Sequence, residues 1–429
     1  MKKRFEIFSS KRLRQILNDI KRNSDIAGKE LKFPKKQLNR YLKSEKTLDI
    51  NLVKKICEVY PIHPQELISP KILYNKPFKF FSSNSSKKTK RLIKRGGKDY
   101  YEYRDTVITN NSPFKPEWIR ELCFVKNNNP YNKILEWNKG HLLHQLTYFV
   151  GKVNFYYIDE NNKKKVAVMN TGDSMYISPY TPHTFATRDK NLQAHIIAIT
   201  FTGKITNEVQ NHLQGFEKNN LKDFISFNSL KSLVDRKLKD HCLNYQTFEK
   251  IIKEKNLRKK ILSKRISSNL KKKLSYYLDI SFNSFEHTIS RYKTIIKKRA
   301  DCLEYNYPSN KNGVKIVDLL SLNYLSGCKM FQITVNNKSK TNFYDSSKHQ
   351  YIYILKDNIT FKHNKKIINL KIGDSLYVKP FEKFKLYGNG GTALIIRLEG
   401  NLSDQIIFEL SKIKSKNMGR VINEKEKWY

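Results

Sequence analysis

The chain has 429 residues, of which 39% are hydrophobic and 12% aromatic, and it carries a formal net charge of +44. This composition predicts a globular protein of two or three domains and excludes a mainly disordered chain. The sequence has no apolar run of the length that a membrane span needs, and its N-terminus lacks a signal-peptide core, so we expect a cytoplasmic protein. The five scattered cysteines indicate neither a disulfide framework nor a thiolate zinc site.

The excess of lysine and arginine suggests an anionic partner, for which nucleic acid is the obvious candidate. The basic residues, however, run throughout the chain, for example at 163–165, 271–273 and 365–366. We therefore favour the interpretation that the whole surface is lysine-rich. Such a surface would also attract a small dianion, so the charge excludes neither a nucleic acid nor a small substrate.

Residues 1–76 predict a compact helical domain. Apolar residues recur at helical spacing near its start, and Ser24 is suited to cap a second helix. Pro34 stands where a third helix begins, and Asp49 can cap a fourth. Short helices joined in this way resemble the helix-turn-helix domain of phage-repressor type. We expect residues 77–90, which are rich in Ser and Lys, to form a polar linker.

From residue 91 to residue 228 the pattern changes to short strands separated by turns. The segments 146–150, 153–158 and 195–201 are rich in β-branched and aromatic residues. Glycines and short polar segments interrupt them. Many short antiparallel strands at this spacing predict a jelly-roll (cupin) barrel.

The second half of the chain repeats this plan. Residues 229–298 again have a helical pattern, and residues 299–429 again contain strand-like segments. The sequence Gly373-Asp-Ser-Leu-Tyr-Val-Lys-Pro closely copies Gly172-Asp-Ser-Met-Tyr-Ile-Ser-Pro. The match indicates an internal duplication. The predicted fold class is mixed α and β, with a helix-turn-helix-like helical unit and a cupin (jelly-roll) β-barrel that each occur twice.

The first barrel contains two segments that resemble the two cupin motifs, in which ligands from one strand meet a His from a later strand. The first segment holds His141, His144 and Gln145, and the second holds His183, eleven residues after Gly172. Because side chains alternate along a strand, His141 and Gln145 point the same way and His144 points the other way. We therefore predict that His141, Gln145 and His183 converge on a metal ion. Three ligands on one face, with open positions opposite, are typical of iron(II) oxygenases.

Gln145 departs from that arrangement, which normally includes a carboxylate. A neutral amide leaves the +2 charge of the metal uncompensated, which should weaken metal binding in the free protein and favour chelation by a dianionic substrate. The alternative is a metal-free barrel with a polar interior strand. In the second barrel Phe384 stands at the position of His183, so we expect that barrel to be degenerate and metal-free.

Gln145 and Ile177, together with the helical units and the duplicated barrels, resemble the hydroxyethylphosphonate dioxygenase and methylphosphonate synthase family. Dioxygenase members take a carboxylate ligand from a Glu six residues before the final His, where this chain has Ile177. Methylphosphonate synthases have Gln four residues after the first His and Ile in place of that Glu, as this chain does. The resemblance covers essentially the whole chain.

The resemblance implies roles for four further residues. Arg95, Tyr103 and Asn138 match family residues that bind the substrate, holding its phosphonate or its hydroxyl near the metal. An Arg offers a planar fork to phosphonate oxygens. Lys21 matches a family lysine that reaches into a metal site of another subunit, where it would serve both catalysis and substrate binding. The resemblance therefore also implies a homo-oligomer, either a tetramer or a dimer.

The reaction that the resemblance implies is the Fe(II)- and O2-dependent carbon–carbon bond cleavage of 2-hydroxyethylphosphonate to methylphosphonate and bicarbonate or CO2. All electrons for O2 come from the substrate, so no 2-oxoglutarate is expected. Two alternatives stay open. The first is the dioxygenase outcome, hydroxymethylphosphonate and formate. The second is a DNA-binding regulator with a ligand-sensing cupin; the intact triad and the duplicated helical unit count against it, and neither nucleic acid nor a membrane is our expected partner.

Overall fold

The computed structural model describes residues 8–43, 47–68, 76–191, 194–217, 229–263, 266–280, 285, 294–308, 314–322, 327–337 and 344–422. The α-helices of these residues are α1 (Ser10–Asp19), α2 (Ser24–Glu30), α3 (Lys35–Lys43), α4 (Ile50–Val59), α5 (Ser83–Lys88), α6 (Asn207–Gln214), α7 (Leu230–Asp240), α8 (Tyr245–Ile252), α9 (Leu257–Leu262), α10 (Ser268–Leu278), α11 (Asp404–Ser411) and α12 (Met418–Ile422). Single 3-10 turns lie at Pro64–Leu67, Arg299–Asp301 and Ser415–Asn417.

The strands alternate with these helices in two groups. The first group is β1 (Phe78–Phe81), β2 (Arg91–Arg95), β3 (Lys98–Asp105), β4 (Phe114–Glu121), β5 (His144–Val150), β6 (Val153–Ile158), β7 (Lys164–Met169), β8 (Ser174–Ile177), β9 (His183–Thr187) and β10 (His195–Phe201). The second group is β11 (Thr294–Lys297), β12 (Leu303–Tyr307), β13 (Val314–Leu322), β14 (Cys328–Thr334), β15 (His349–Lys356), β16 (Ile359–His363), β17 (Lys366–Leu370), β18 (Ser375–Val378), β19 (Lys385–Tyr387) and β20 (Thr392–Leu398). The mixed α and β class predicted from the sequence is confirmed.

Helices α1 to α4 fold around an apolar core of their own, in which Leu13 and Leu52 are fully buried. Asp49 caps α4 as predicted, because its carboxylate accepts a backbone hydrogen bond from the first turn. The cap of α2 is Asn23 and not the predicted Ser24, since the Asn23 side chain accepts hydrogen bonds from two amides of that turn. Helices α7 to α10 enclose a second, separate apolar core.

The strands form two similar units of two sheets each. In the first β-unit a seven-stranded sheet of order β11-β8-β5-β10-β4-β3-β2 faces a three-stranded sheet of order β7-β6-β9. Phe149, Phe155 and Phe185 are buried between these two sheets. In the second β-unit the orders are β1-β18-β15-β20-β14-β13-β12 and β17-β16-β19. Phe361 and Phe384 are buried in that unit.

The two β-units pack back to back through the outer faces of their seven-stranded sheets. This interface holds the largest cluster of buried apolar side chains, to which Trp118 and Tyr148 of the first unit and Met330 and Tyr351 of the second unit belong. A hydrogen bond from the Tyr148 hydroxyl to Gln332 Oε1, at 2.9 Å, crosses the same interface. The inner faces of the sheets are therefore left to enclose the interior of each unit.

Each β-unit contains one edge strand that comes from the other half of the chain. Residues 77–90, predicted to be a polar linker, instead contain β1 and α5, and β1 pairs with β18 of the second unit. The segment 229–298, predicted to be helical, ends in β11, which pairs with β8 of the first unit. These two predictions were wrong because a four-residue strand is specified by a partner far away in the sequence and not by its local pattern.

The duplicated Gly-Asp-Ser segments anchor this exchange. Asp374 Oδ1 accepts a hydrogen bond of 2.7 Å from the amide of Ser83, two residues after β1. Asp173 Oδ1 accepts one of 2.8 Å from the amide of Arg299, two residues after β11. The Asp of the Gly-Asp-Ser segment therefore anchors the exchanged edge strand in each unit. This shared role explains why the two segments are so similar in sequence.

The described helices are all too short or too polar for any of them to cross a membrane. The five cysteines all lie within the described residues, and each is a free thiol.

Candidate metal centre

The three predicted metal ligands come from both sheets of the first β-unit. Gln145 lies at the start of β5 in the seven-stranded sheet, and His183 is the first residue of β9 in the three-stranded sheet. Both side chains are buried, each with 4% of its surface exposed. His141 is half-buried in the segment that leads into β5. The ring centroids of His141 and His183 lie 5.5 Å apart, with their planes at 86°.

Backbone carbonyls fix the tautomers of the two histidines. His141 Nδ1 lies 2.8 Å from the carbonyl oxygen of Leu143, and His183 Nδ1 lies 2.8 Å from that of Thr181. A carbonyl oxygen only accepts, so each Nδ1 carries a hydrogen, and in a neutral ring Nε2 then has the lone pair that a metal can bind. Burial lowers the pKa of His183 to about 4, so its ring is neutral near pH 7. Metal-binding histidines are commonly oriented in this way.

A threonine fixes the amide of Gln145. Gln145 Nε2 donates to Thr147 Oγ1 at 2.9 Å, so Gln145 Oε1 faces His141 Nε2 at 3.2 Å. When the His141 ring is neutral, two acceptor atoms face each other here, an arrangement that a cation between them stabilises. The described residues contain no cluster of three His, Cys, Asp or Glu side chains that could hold a metal. Two imidazoles and one amide oxygen nevertheless fit a divalent first-row transition metal.

Asn138 is tied to His183 by both ends of its amide. Its Oδ1 accepts hydrogen bonds from the amides of His183, at 2.9 Å, and of Gly140, at 3.0 Å. Its Nδ2 lies 3.1 Å from His183 Nε2. Gly140 has a φ of 77°, and a Cβ there would lie 2.5 Å from the backbone of Tyr180. Only glycine therefore allows the segment before His141 to approach so closely.

Ile177 is the direct cross-strand partner of Gln145 in the β5–β8 ladder. Side chains opposite each other in a ladder point to the same face, so both point into the unit. A carboxylate at position 177 would thus face the same interior as the Gln145 amide. His144 points the other way, as predicted, and its Nδ1 lies 2.8 Å from the Tyr176 hydroxyl.

Arg95 and Tyr103 lie on β2 and β3, in the sheet that faces the one carrying His183. Arg95 Nη1 donates to the carbonyl oxygen of Glu136 at 3.0 Å, and its guanidinium lies 4.9 Å from the ring centre of Tyr101. The charge of Arg95 contributes to lowering the pKa of His183. Tyr103 is half-buried, and burial raises its pKa to about 12, so its hydroxyl stays protonated.

Lys21 lies apart from these residues in the helical unit. It occupies the exposed turn after α1 with a φ of 58°, and its Nζ lies 3.5 Å from the carbonyl oxygen of Asp19. Of the seven predicted site residues, the fold thus brings six to the first β-unit and leaves Lys21 on the surface.

The second β-unit has different side chains at the matching positions. Phe384 stands where the first unit has His183, and Gln350 matches Gln145, but Gln350 Oε1 accepts from Arg397 Nε at 3.0 Å. His349 corresponds to His144 and not to His141, since its Nδ1 lies 2.7 Å from the Tyr377 hydroxyl. A guanidinium therefore lies beside the amide at this position in the second unit.

The structure adds residues to the site that the sequence did not indicate. Thr147 orients the Gln145 amide, and Glu117 points into the unit from β4. Glu121, on the same face, is fully buried, and its carboxyl oxygens have no hydrogen-bond partner among the described residues. Burial raises the pKa of Glu121 well above its usual range. These roles depend on strand register, which no local sequence pattern shows.

The whole chain has close relatives among known proteins, although no protein-family model matches it. It is 35% identical to the methylphosphonate synthase of Nitrosopumilus maritimus (strain SCM1) over 436 residues, covering 96% of this chain and 94% of that protein. The structure of Streptomyces albus HEPD with substrate 2-hydroxyethylphosphonate and Fe(II) bound matches with a TM-score of 0.90 and 26% identity, over 98% of both chains. A further 2-hydroxyethylphosphonate dioxygenase structure shares the fold at 16% identity and a TM-score of 0.74, over 95% of this chain and 98% of the other. Identity of this extent over nearly the whole chain means that the chain belongs to the methylphosphonate synthase family.

Proposed function

We propose that this chain is a mononuclear non-haem iron enzyme that uses O2 to cleave the carbon–carbon bond of 2-hydroxyethylphosphonate, giving methylphosphonate and bicarbonate or CO2. The observation that carries the proposal is the convergence of His141 Nε2 and Gln145 Oε1, 3.2 Å apart, near His183 in a chain 35% identical to a methylphosphonate synthase. The Fe(II) and 2-hydroxyethylphosphonate in the related Streptomyces albus structure support the choice of metal and substrate.

His141, Gln145 and His183 would hold the iron. When bound, Fe(II) supplies Lewis acidity toward the substrate oxygens and the redox chemistry of O2. The three side chains contribute no negative charge, so a dianionic substrate provides the compensation that a carboxylate ligand gives in other oxygenases. The hydrogen bonds to Leu143 and Thr181 hold the hydrogen of each imidazole on Nδ1 and fix the orientation of each ring.

Four other side chains would bind the substrate. Arg95 offers two parallel N–H groups to the phosphonate, and its stacking on Tyr101 holds the guanidinium in place. Asn138 Nδ2 lies 3.1 Å from His183 Nε2, close enough to donate to a substrate oxygen beside that ligand. The protonated hydroxyl of Tyr103 is a further donor. Lys21 would add a cation from the helical unit of a neighbouring chain.

The reaction needs no organic cosubstrate. The carbinol carbon of the substrate is oxidised to the level of bicarbonate, and the phosphorus-bearing carbon gains one hydrogen to become a methyl group. The four electrons released in total reduce O2. No 2-oxoglutarate therefore takes part.

The sister outcome, hydroxymethylphosphonate plus formate, is the second candidate. The structural likeness to HEPD, with a TM-score of 0.90, favours it. Ile177 and Gln145 oppose it, because the dioxygenase pattern has a Glu at the position of Ile177. The higher identity to a methylphosphonate synthase leads us to prefer methylphosphonate as product. The DNA-binding regulator considered from the sequence receives no support from these relatives.

The architecture belongs to the same proposal. The two β-units would be cupin barrels, the second of them metal-free, and the helical units α1 to α4 and α7 to α10 would be helix-turn-helix-like modules that complete active sites. The exposed position of Lys21 supports a homo-oligomer in which it acts in trans. The five free thiols are compatible with a cytoplasmic location.

Anaerobic Fe(II) titration and aerobic turnover of three alanine variants test the ligand assignment. His141→Ala and His183→Ala should each lose iron binding and activity together. His144→Ala is the matched control, because His144 adjoins Gln145 in sequence but points out of the unit toward Tyr176. It should keep its iron affinity. Undiminished iron binding in His141→Ala or His183→Ala would contradict the assignment of that residue as a ligand.

A further inference from the structure

Two carboxyl groups point into the β-unit that carries the candidate metal centre. On β4, Trp118 packs in the interface between the two β-units, whereas Ile119 packs in the interior of the first. Because side chains alternate, Glu117 and Glu121 share the interior face with Ile119. Both come from a strand of the seven-stranded sheet, the sheet that also supplies Gln145.

The second β-unit provides an internal comparison for Glu117. The ladders that contain Gln145 and Gln350 match strand for strand, which fixes the correspondence between the two units. In this register Glu117 corresponds to Phe331, which is buried among apolar side chains. The same fold thus accepts an aromatic ring at this position. A carboxylate there is not needed for folding, so its presence in the catalytic unit calls for a functional explanation.

Glu117 lies across the interior from Gln145. It pairs with Ala198 of β10, and Ala198 pairs with Thr147, the residue that accepts from the Gln145 amide. Two strand spacings separate Glu117 from Thr147, about 10 Å. Ala198, which lies between them, is buried in the interior of the unit. Burial raises the pKa of Glu117, and the charge of Arg91 opposes that shift.

Glu117 shares its nearest guanidinium with a second carboxylate. Arg91 Nη2 lies 3.3 Å from Glu117 Oε1, and Arg91 Nη1 lies 2.6 Å from Asp105 Oδ1. One guanidinium therefore faces two carboxylates at this wall. The three proposed ligands, in contrast, are all neutral. The wall is thus a local source of the negative charge that a divalent ion requires.

We propose that Glu117 supplies, from the wall of the catalytic β-unit, the negative charge that a carboxylate ligand would otherwise bring to the metal. The inference rests on the proposed metal centre and adds a residue to it. Glu117 is a positioning residue, since it acts on the ion and the substrate through space. It stabilises the bound ion, and it repels a phosphonate dianion.

The two effects of Glu117 have opposite signs, and a single variant separates them. In Glu117→Gln, anaerobic titration with Fe(II) alone should show iron binding weaker by about 10-fold, an effect that corresponds to one charge at this range. With iron saturating, the KM for 2-hydroxyethylphosphonate should fall, because a charge that repels the dianion is gone. A general disruption of the site would instead weaken the binding of both Fe(II) and 2-hydroxyethylphosphonate.

Asp105→Asn is the matched control. It removes the other carboxylate that pairs with Arg91, and Asp105 lies one strand farther from Gln145 than Glu117 does. Its iron affinity should change by less than about 3-fold. Glu117→Asp keeps the charge and should bind iron nearly as tightly as the wild type, which guards against a folding defect in Glu117→Gln.

Three results would overturn the inference. They are equal iron affinity in the wild type and Glu117→Gln, a KM that rises instead of falling, and a loss in Asp105→Asn as large as in Glu117→Gln. Each of them leaves the proposed function standing if the wild type binds iron and turns over. A wild type that binds no iron would instead overturn the proposed function itself.

Discussion

Single hydrogen bonds decide which atoms of the candidate metal centre face its interior. The carbonyl oxygens of Leu143 and Thr181 each accept a hydrogen bond from Nδ1 of a histidine. The Thr147 hydroxyl accepts one from the Gln145 amide. The lone pairs left over are those that a metal ion needs. The proposed ligands and their hydrogen-bond partners carry no negative charge, so the charge that compensates the metal ion must come from other groups.

Changing Gln145 to Glu tests the value of that neutrality. The added negative charge should tighten Fe(II) binding in the free protein by about 10-fold or more. It should lower turnover, because it opposes the phosphonate dianion and weakens the Lewis acidity of the ion. Iron titration and steady-state rates at saturating substrate measure the two effects. Gln145→Ala is the control and should lose iron and activity together.

A Glu variant that bound iron no better and turned over equally fast would argue that Gln145 is not a ligand. The double variant Gln145→Glu/Glu117→Gln shows whether the two positions share one electrostatic role. If they do, the double variant should regain most of the iron affinity that Glu117→Gln alone loses.

At this scale the sequence was informative where chemistry follows local spacing. Alternation along one strand separated His141 and Gln145 from His144, and the structure has His144 facing Tyr176 outside the unit. Glu117 could not be found in this way. Its relation to Gln145 runs through β10, and that register is fixed only when distant strands pair.

Among the secondary-structure elements, the exchanged strands β1 and β11 bind the two halves of the chain together. Each is short, and each is followed by a backbone amide that donates to the Asp of a Gly-Asp-Ser segment in the opposite half. The sequence revealed the duplicated segments but not their purpose. Their partners lie 291 and 126 residues away in the chain, which is far beyond any local pattern.

Asp374→Ala should therefore destabilise the protein without touching the metal centre. The variant leaves the amides of Ser83 and Lys371 without their acceptor, which should cost about 2–3 kcal/mol of unfolding free energy. Chemical denaturation measures the loss, and iron titration should show unchanged affinity because Asp374 belongs to the second β-unit. Asp301→Ala, at an exposed carboxylate, is the control. An unchanged stability of Asp374→Ala would contradict the anchoring role.

The hydrogen bond between β15 and β18 predicts a dependence of stability on pH. Burial lowers the pKa of His349 to about 4, and its Nδ1 lies 2.7 Å from the Tyr377 hydroxyl, within hydrogen-bond distance. The unfolded chain binds a proton below about 6.5 and the folded chain does not, so stability is full above that pH and falls between about 6.5 and 4.

His349→Gln keeps an acceptor for Tyr377 but cannot be protonated. Its unfolding free energy should therefore fall less than that of the wild type between pH 7 and pH 5, by about 1–2 kcal/mol after allowance for solvent screening. Urea denaturation at the two pH values gives the difference. Parallel losses in both proteins would show that His349 does not titrate in this range.

In the whole molecule, two similar β-units stand back to back, and the first carries the candidate metal centre. The interior of the second has Phe384 and Arg397 where the first has His183 and Thr200. The duplication was visible in the sequence from the Gly-Asp-Ser segments. The way the units join was not, because interface residues such as Trp118 have the same apolar character as residues of the interior.

Lys21 raises the question of whether one chain completes its own site. We predict that Lys21 acts in trans, so Lys21→Ala chains mixed with His183→Ala chains should recover part of the activity through hybrid sites. Each variant alone should be nearly inactive. Lys29→Ala, at another exposed lysine of the same unit, is the control and should be active without mixing. No recovery after demonstrated subunit exchange would argue for a site within one chain.

The identity of the product tests the proposed function most directly. Iron-loaded protein should be incubated with 2-hydroxyethylphosphonate under air and the products followed by phosphorus NMR, with a carbon label on the carbinol position. The proposed reaction requires consumption of O2, a methylphosphonate signal, and the label in bicarbonate or CO2. A hydroxymethylphosphonate signal with the label in formate, or no conversion by protein that has bound iron, would contradict it.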